Sequence, residues 1–185
     1  MQLTKNFSLD EFTNELEIPD YRLFLVQGMA NILQTIRNVL CCSIQITSGM
    51  RSQADFDRLR KAGYNPSETS DHNYGLPIML DSSNPKFRTF GAIYNFSVGA
   101  ADIVPDIGAE NAWKQLEPLC DREQNLIVGI RIGQFILEKG LPGATPWIHV
   151  SNHPEIAFSR ELVRKFLNRP CFLTSVDGGK TYQPL

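Results

Sequence analysis

The three histidines are the residues of this 185-residue chain with the most chemistry to offer, and their surroundings differ. His72 lies in the polar stretch Ser70-Asp71-His72-Asn73-Tyr74-Gly75, where there is little core in which to bury an imidazole. His149 alternates with Ile148 and Val150, so on a strand it faces away from whatever those two pack against. His153 completes an H-x-x-x-H spacing with His149, which on a helix is a zinc pair. Trp147-Ile148-His149-Val150-Ser151 is instead a strand pattern. Residues four apart on a strand stand about 13 Å from one another, at ~3.3 Å per residue, too far to share an ion. His153, followed by Pro154, therefore reads as a surface loop residue. Cys41, Cys42, Cys120 and Cys171 form no C-x-x-C pair, and a zinc ribbon needs paired spacings, so all four read as core filler in a reducing compartment.

The elements that must carry such residues are legible in part. Ser8-Leu9-Asp10-Glu11 is a capping box flanked by Phe7 and Phe12 as a hydrophobic staple, so a helix starts there. Leu23, Val26, Ala30, Leu33, Ile36 and Leu40 recur at three and four, giving a second helix with one apolar stripe. Ile44-Gln45-Ile46-Thr47 alternates as a strand, and Gln53 to Lys61 reads as a short helix ending at Gly63. The stretch from Asn65 to Asp106 is rich in Gly, Pro, Ser and Asn and predicts mostly loops and edge strands. A helix is expected from about Ala109 to Arg122, bent or broken at Pro118. Ile130 to Glu138 and Pro146 to Ser151 read as two strands, Arg160 to Leu167 as a last helix, and the tail from Phe172 through Asp177-Gly178-Gly179-Lys180 to Tyr182 as a terminal hairpin. Helices before and after a small antiparallel sheet make an α+β domain, a single unit spanning 1–185.

Composition narrows the function classes. Apolar residues make up 42% and charged ones 21%, which fits one globular core. The formal charge of -2, with no run of Lys or Arg, excludes a phosphate-tracking surface, so no nucleic acid partner is expected. No segment approaches the length of a membrane span, and Met1 to Asn6 lack the apolar core of a secretion signal. The expectation is a protein made in the cytoplasm without a signal peptide and with no membrane partner.

Four short motifs occur in a telling order: Thr47-Ser48-Gly49-Met50-Arg51-Ser52, Ser70-Asp71-His72-Asn73-Tyr74-Gly75, Ala100-Ala101-Asp102-Ile103 and Trp147-Ile148-His149-Val150. Their order resembles that of the zinc D-Ala-D-Ala carboxypeptidase and L-Ala-D-Glu endopeptidase superfamily of peptidoglycan peptidases, from about Phe7 to the end of the chain. The resemblance implies a hedgehog/D-Ala-D-Ala-peptidase-like fold and one Zn2+ held by His72, Asp102 and His149. Two neutral imidazoles and one carboxylate leave a net positive ion with a fourth position for water. By motif position Arg51 would stabilise the tetrahedral intermediate, Ser70 would help hold the substrate peptide, and Trp147 would line the cleft or wedge the hairpin.

The family takes its general base from an acid just upstream of the last histidine, where this chain has Pro146. Glu138 is the nearest candidate. If Lys139 to Pro146 closes a hairpin, Glu138 pairs opposite Trp147 and lies diagonal to His149 on the same face, at about 7 Å. A slip of one residue turns it away and leaves an exposed turn carboxylate. A second departure is that Asp102 follows His72 by thirty residues, where the family aspartate follows its histidine by seven. An insertion at about 76–97 accommodates this, since loop closure costs rise slowly with length. Asp81 is nearer in sequence and is the rival ligand, but it lacks the Ala pair that precedes Asp102.

The resemblance implies a zinc-dependent peptidase that cleaves an amide bond in peptidoglycan stem peptides, acting at the cell wall or residing in a phage virion. The alternatives from other classes are a catalytically inactive structural or wall-binding component of a phage virion, in contact with other phage structural proteins, and a hedgehog-like binding use of the fold.

Overall fold

The computed structural model describes residues 1–14, 16–18, 20, 23–66, 70–74, 99–152, 171–177 and 180–184. The expected insertion at about 76–97, the helix over 160–167, and Gly75, Asp81 and His153 lie outside the described residues.

Helix α1 (Leu9–Thr13) begins where the capping box places it: the Glu11 carboxylate accepts from both the backbone N–H and the hydroxyl of Ser8. Phe7 and Phe12 meet edge to face at 6.1 Å, both fully buried. Helix α2 (Leu23–Leu40) buries Val26, Ala30, Leu33, Ile36 and Leu40 as its spacing predicts, and Leu25, Met29 and Ile32 with them. Strand β1 (Ile44–Ser48) follows, then helix α3 (Gln53–Lys61), whose N-cap Ser52 exchanges hydrogen bonds with Asp55. A single 3-10 turn covers Asp71–Asn73.

Strand β2 (Ala100–Pro105) corrects the expectation of edge strands in this region. It pairs with β1 on one side and with β6 (Trp147–Asn152) on the other. Five of its six residues are buried, and a strand covered on both faces shows no polar alternation by which sequence could mark it. Helix α4 (Ala109–Leu116) is shorter than expected. Glu117–Leu119 forms a 3-10 turn and Cys120–Asp121 is already strand β3, because Pro118 has no N–H with which to continue the helix. Strands β4 (Leu126–Ile127) and β5 (Ile130–Glu138) complete the run before β6.

The sheet order is β1-β2-β6-β5-β4-β3, all antiparallel. Strand β7 (Phe172–Ser175) adds to β5 in parallel, and β8 (Gln183–Pro184) pairs antiparallel with β7. The sheet is antiparallel as expected apart from this one parallel pair. Strand β6 is already flanked by β2 and β5, so a strand that follows it must join elsewhere, and here it runs beside β5 in the same direction. The α+β class holds. The terminal hairpin also forms, with its second strand at 183–184.

Alternation divides the sheet into two faces. Ala101, Ile103, Phe135, Leu137, Ile148 and Val150 join the core under α2 and α4, where Trp113 stacks on Phe135 at 4.6 Å. Asp102, Ile136, Glu138 and His149 fall on the opposite face. No described helix is long and apolar enough to cross a membrane.

Gly49 joins the two halves of this architecture. The backbone N–H of Met50 donates to the carbonyl of Phe12 at 2.6 Å, and a Cβ on Gly49 would sit 2.1 Å from that same oxygen. Both contacts are backbone, so no rotamer change can relieve them. Gly49→Ala is therefore expected to cost about 1–3 kcal/mol, the range for overpacking, as read from the midpoint of urea unfolding. An unchanged midpoint would show that α1 can shift freely away from the loop.

Candidate metal centre

Register puts the first two groups together. Asp102 on β2 pairs directly with His149 on β6, so both side chains leave the sheet on one face with little freedom to separate. His72 arrives from outside the sheet on the 3-10 turn, whose N-cap Ser70 accepts from the His72 backbone N–H at 3.3 Å. The Arg51 N–H donates to the His72 carbonyl at 3.2 Å and ties that turn to the loop after β1.

The three side chains converge. His149 Nδ1 lies 2.9 Å from Asp102 Oδ1, and His72 Nε2 lies 3.2 Å from both. Three atoms so spaced lie about 1.8 Å from their common centre, inside the ~2.0–2.2 Å reach of zinc bonds to nitrogen and oxygen. An ion slightly off their plane can therefore bond all three. These buried residues lie close enough to bind one metal ion.

The surroundings suit that use. His72 Nδ1 lies 2.7 Å from the Gly49 carbonyl oxygen, which can only accept, so the ring proton is fixed on Nδ1 and the Nε2 lone pair faces the other two ligands. Asp102 offers Oδ1 to the histidines, while Oδ2 accepts from Arg51 Nη2 at 2.5 Å. Arg51 Nε donates to Ser48 Oγ at 2.9 Å, which holds the guanidinium in place. Of the site residues named from sequence, His72, Asp102, His149 and Arg51 thus meet, with the Arg51 guanidinium bonded to Asp102 and Ser48. Ser70 caps the turn that carries His72. Trp147 packs its ring edge to face on Tyr64 at 6.1 Å and over the β5–β6 turn, where a Cβ on Gly140 would touch it; its buried indole N–H has no partner among the described residues.

Glu138 occupies the place that hairpin geometry predicts. It pairs with Trp147, Ile136 pairs with His149, and so Glu138 lies diagonal to His149 on the same face. It is buried, with 8% of its surface exposed. Burial, and then the negative charge of Asp102, push its carboxyl up to about 7, against the pull of His149 and Arg51. Burial opposes ionisation of Asp102 too. There the charges of His72 and Arg51 and the histidine hydrogen bonds win, and its carboxyl stays well below the ordinary range. The imidazoles diverge: burial and the Arg51 charge lower His72, whereas for His149 the hydrogen bond and charge of Asp102, with Glu138 and Asp71, outweigh burial and raise it.

Sequence reasoning missed two contributors. Asp71 is buried and acts on His149, although it stands inside the motif that carries His72. Tyr182 belongs to the terminal hairpin; burial and the charges of Glu138 and Asp102 raise its phenol above the ordinary range. The turn sequence before it marks a hairpin but gives no sign of where that hairpin docks. Comparison with protein-family models, curated proteins and solved structures finds no match.

Two expectations follow. Arg51→Ala should weaken zinc binding about 10- to 100-fold, the usual loss when a ligand's own partner is removed, in a competition titration with a chromophoric chelator; unchanged affinity would make the Arg51–Asp102 pair irrelevant to the metal. In metal-free protein, Glu138 keeps its proton up to about pH 7, against 4.5 for an ordinary glutamate. Between those values the folded form binds the extra proton, so this group's contribution to stability falls as pH rises from about 4.5 to about 7. Chelator-treated wild type should lose melting temperature across that window relative to Glu138→Gln, and parallel profiles would refute the buried, protonated carboxyl.

Proposed function

We propose that this chain is a zinc-dependent peptidase that hydrolyses an amide bond in peptidoglycan stem peptides at the bacterial cell wall. The observation that carries the reading is the convergence of His72, Asp102 and His149 with a buried carboxyl, Glu138, diagonal to His149 on the adjacent strand. Two imidazoles and one carboxylate form a donor set that suits zinc and leaves a coordination position open. Zinc, when bound there, supplies polarisation of the scissile carbonyl and lowers the pKa of an attacking water toward neutrality.

The chain's own groups do the rest. Glu138 accepts the proton that water loses as its oxygen adds to the carbonyl carbon. It returns that proton to the departing amine as the C–N bond breaks, so the carboxylate ends the cycle as it began. Asp102, bonded to Arg51 through its other oxygen, fixes the two imidazoles against one another. The peptidoglycan substrate and the phage setting come from the order of the sequence motifs and from the family they resemble.

The reading is tested by amine release from purified peptidoglycan. Zinc-loaded wild type should cleave, dipicolinate should abolish cleavage and added zinc restore it. Glu138→Gln should keep about one zinc per chain while kcat falls roughly 10²- to 10⁴-fold. Folded, zinc-loaded protein that releases no amine would return the fold to a structural or wall-binding role in a phage particle.

A further inference from the structure

Hydrolysis of an amide at this site needs a donor for the carbonyl oxygen as it gains charge, and Arg51 is engaged with Asp102 and Ser48. The terminal hairpin supplies another. Glu138 pairs with Ser175 across β5 and β7. Across β7 and β8, Thr174 pairs with Gln183 and Leu173 with Pro184. Tyr182 immediately precedes β8, and continuing that register by one residue would set it opposite Ser175, the β7 partner of Glu138. Glu138 is buried, whereas Tyr182 is 46% exposed.

The hairpin is built to hold the tyrosine there. Asp177 Oδ1 accepts from Ser175 Oγ at 3.0 Å and from the backbone N–H groups of Lys180 and Thr181 at 3.1 and 3.0 Å, and Oδ2 accepts from Thr181 Oγ at 2.5 Å. One carboxylate thus ties the end of β7 to the residue that precedes Tyr182. The Thr181 bonds, with those from Ser175 and Lys180, hold Asp177 down at about 2, so the tie is ionised throughout the working range.

We infer that Tyr182 is a substrate-contacting residue of this site, its phenolic O–H donating to the scissile carbonyl oxygen while Asp177 serves as the positioning residue that fixes the hairpin. This deepens the peptidase reading and rests on it. A phenol is protonated near neutral pH, and a protonated phenol can donate to a developing oxyanion.

The test compares zinc-loaded wild type, Tyr182→Phe and Asp177→Ala in two assays: amine release from a purified stem peptide, and calorimetric binding of a phosphinate analogue of that peptide, which presents the charged oxygen without being cleaved. Tyr182→Phe should lower kcat about 10²-fold, the loss for one oxyanion donor, with KM within about twofold. Its zinc content should be unchanged, and analogue affinity should fall with kcat. Asp177→Ala should show a smaller loss in the same two quantities. Tyr182→Phe that retains wild-type kcat and analogue affinity overturns the assignment. Wild type that binds the analogue but cleaves nothing overturns the peptidase reading alone, and the affinity of Tyr182→Phe then decides for or against the tyrosine. Wild type that neither binds nor cleaves overturns both.

Discussion

An ionised Asp102, buried between two imidazoles and a guanidinium, is the constraint around which this molecule is arranged. A carboxylate at 5% exposure is untenable without partners, and each partner reaches it from a different part of the chain. His149 comes by direct strand pairing, His72 by a 3-10 turn, and Arg51 from the loop that leaves β1. The carboxylate divides its two oxygens between these tasks, one toward the histidines and one toward the arginine. That division leaves one oxygen facing the candidate metal position while a fixed positive group holds the other.

The sheet makes the arrangement affordable by giving its two faces different duties. One face is apolar and carries the helices, with Phe135, Ile148 and Val150 in the common core. The other face bears Asp102, His149 and Glu138 at positions that alternate with those core residues. The same pairing that secures the core therefore fixes the polar row, and neither can slip without the other. Around this row sit short, locally determined devices: the Ser70 cap, the Gly49 carbonyl that sets the His72 tautomer, and the Asp177 tie in the terminal hairpin.

Much of this was legible where local physics decides. The capping box at Ser8, the stripe of α2, the Ser52 cap and the β5–β6 hairpin follow from periodicity and end chemistry, and each stands close to its expected place. Glu138 was reachable for the same reason, since a hairpin's register follows from its two strands. What failed was non-local. The interior position of β2 had no alternation to announce it, and the parallel pairing of β7 with β5 depends on which sheet edge was still open.

The sequence by itself determined which groups could act, because imidazole, carboxylate and guanidinium chemistry belongs to residue type, and it determined the elements that carry them wherever spacing and caps are local. Only the tertiary structure decided that Asp102 meets His72 across thirty residues, that Arg51 is engaged by Asp102, and that the terminal hairpin docks beside Glu138. The reason is physical: pairing between strands distant in the chain is selected by burial of the whole sheet, and no short window of residues contains that free energy.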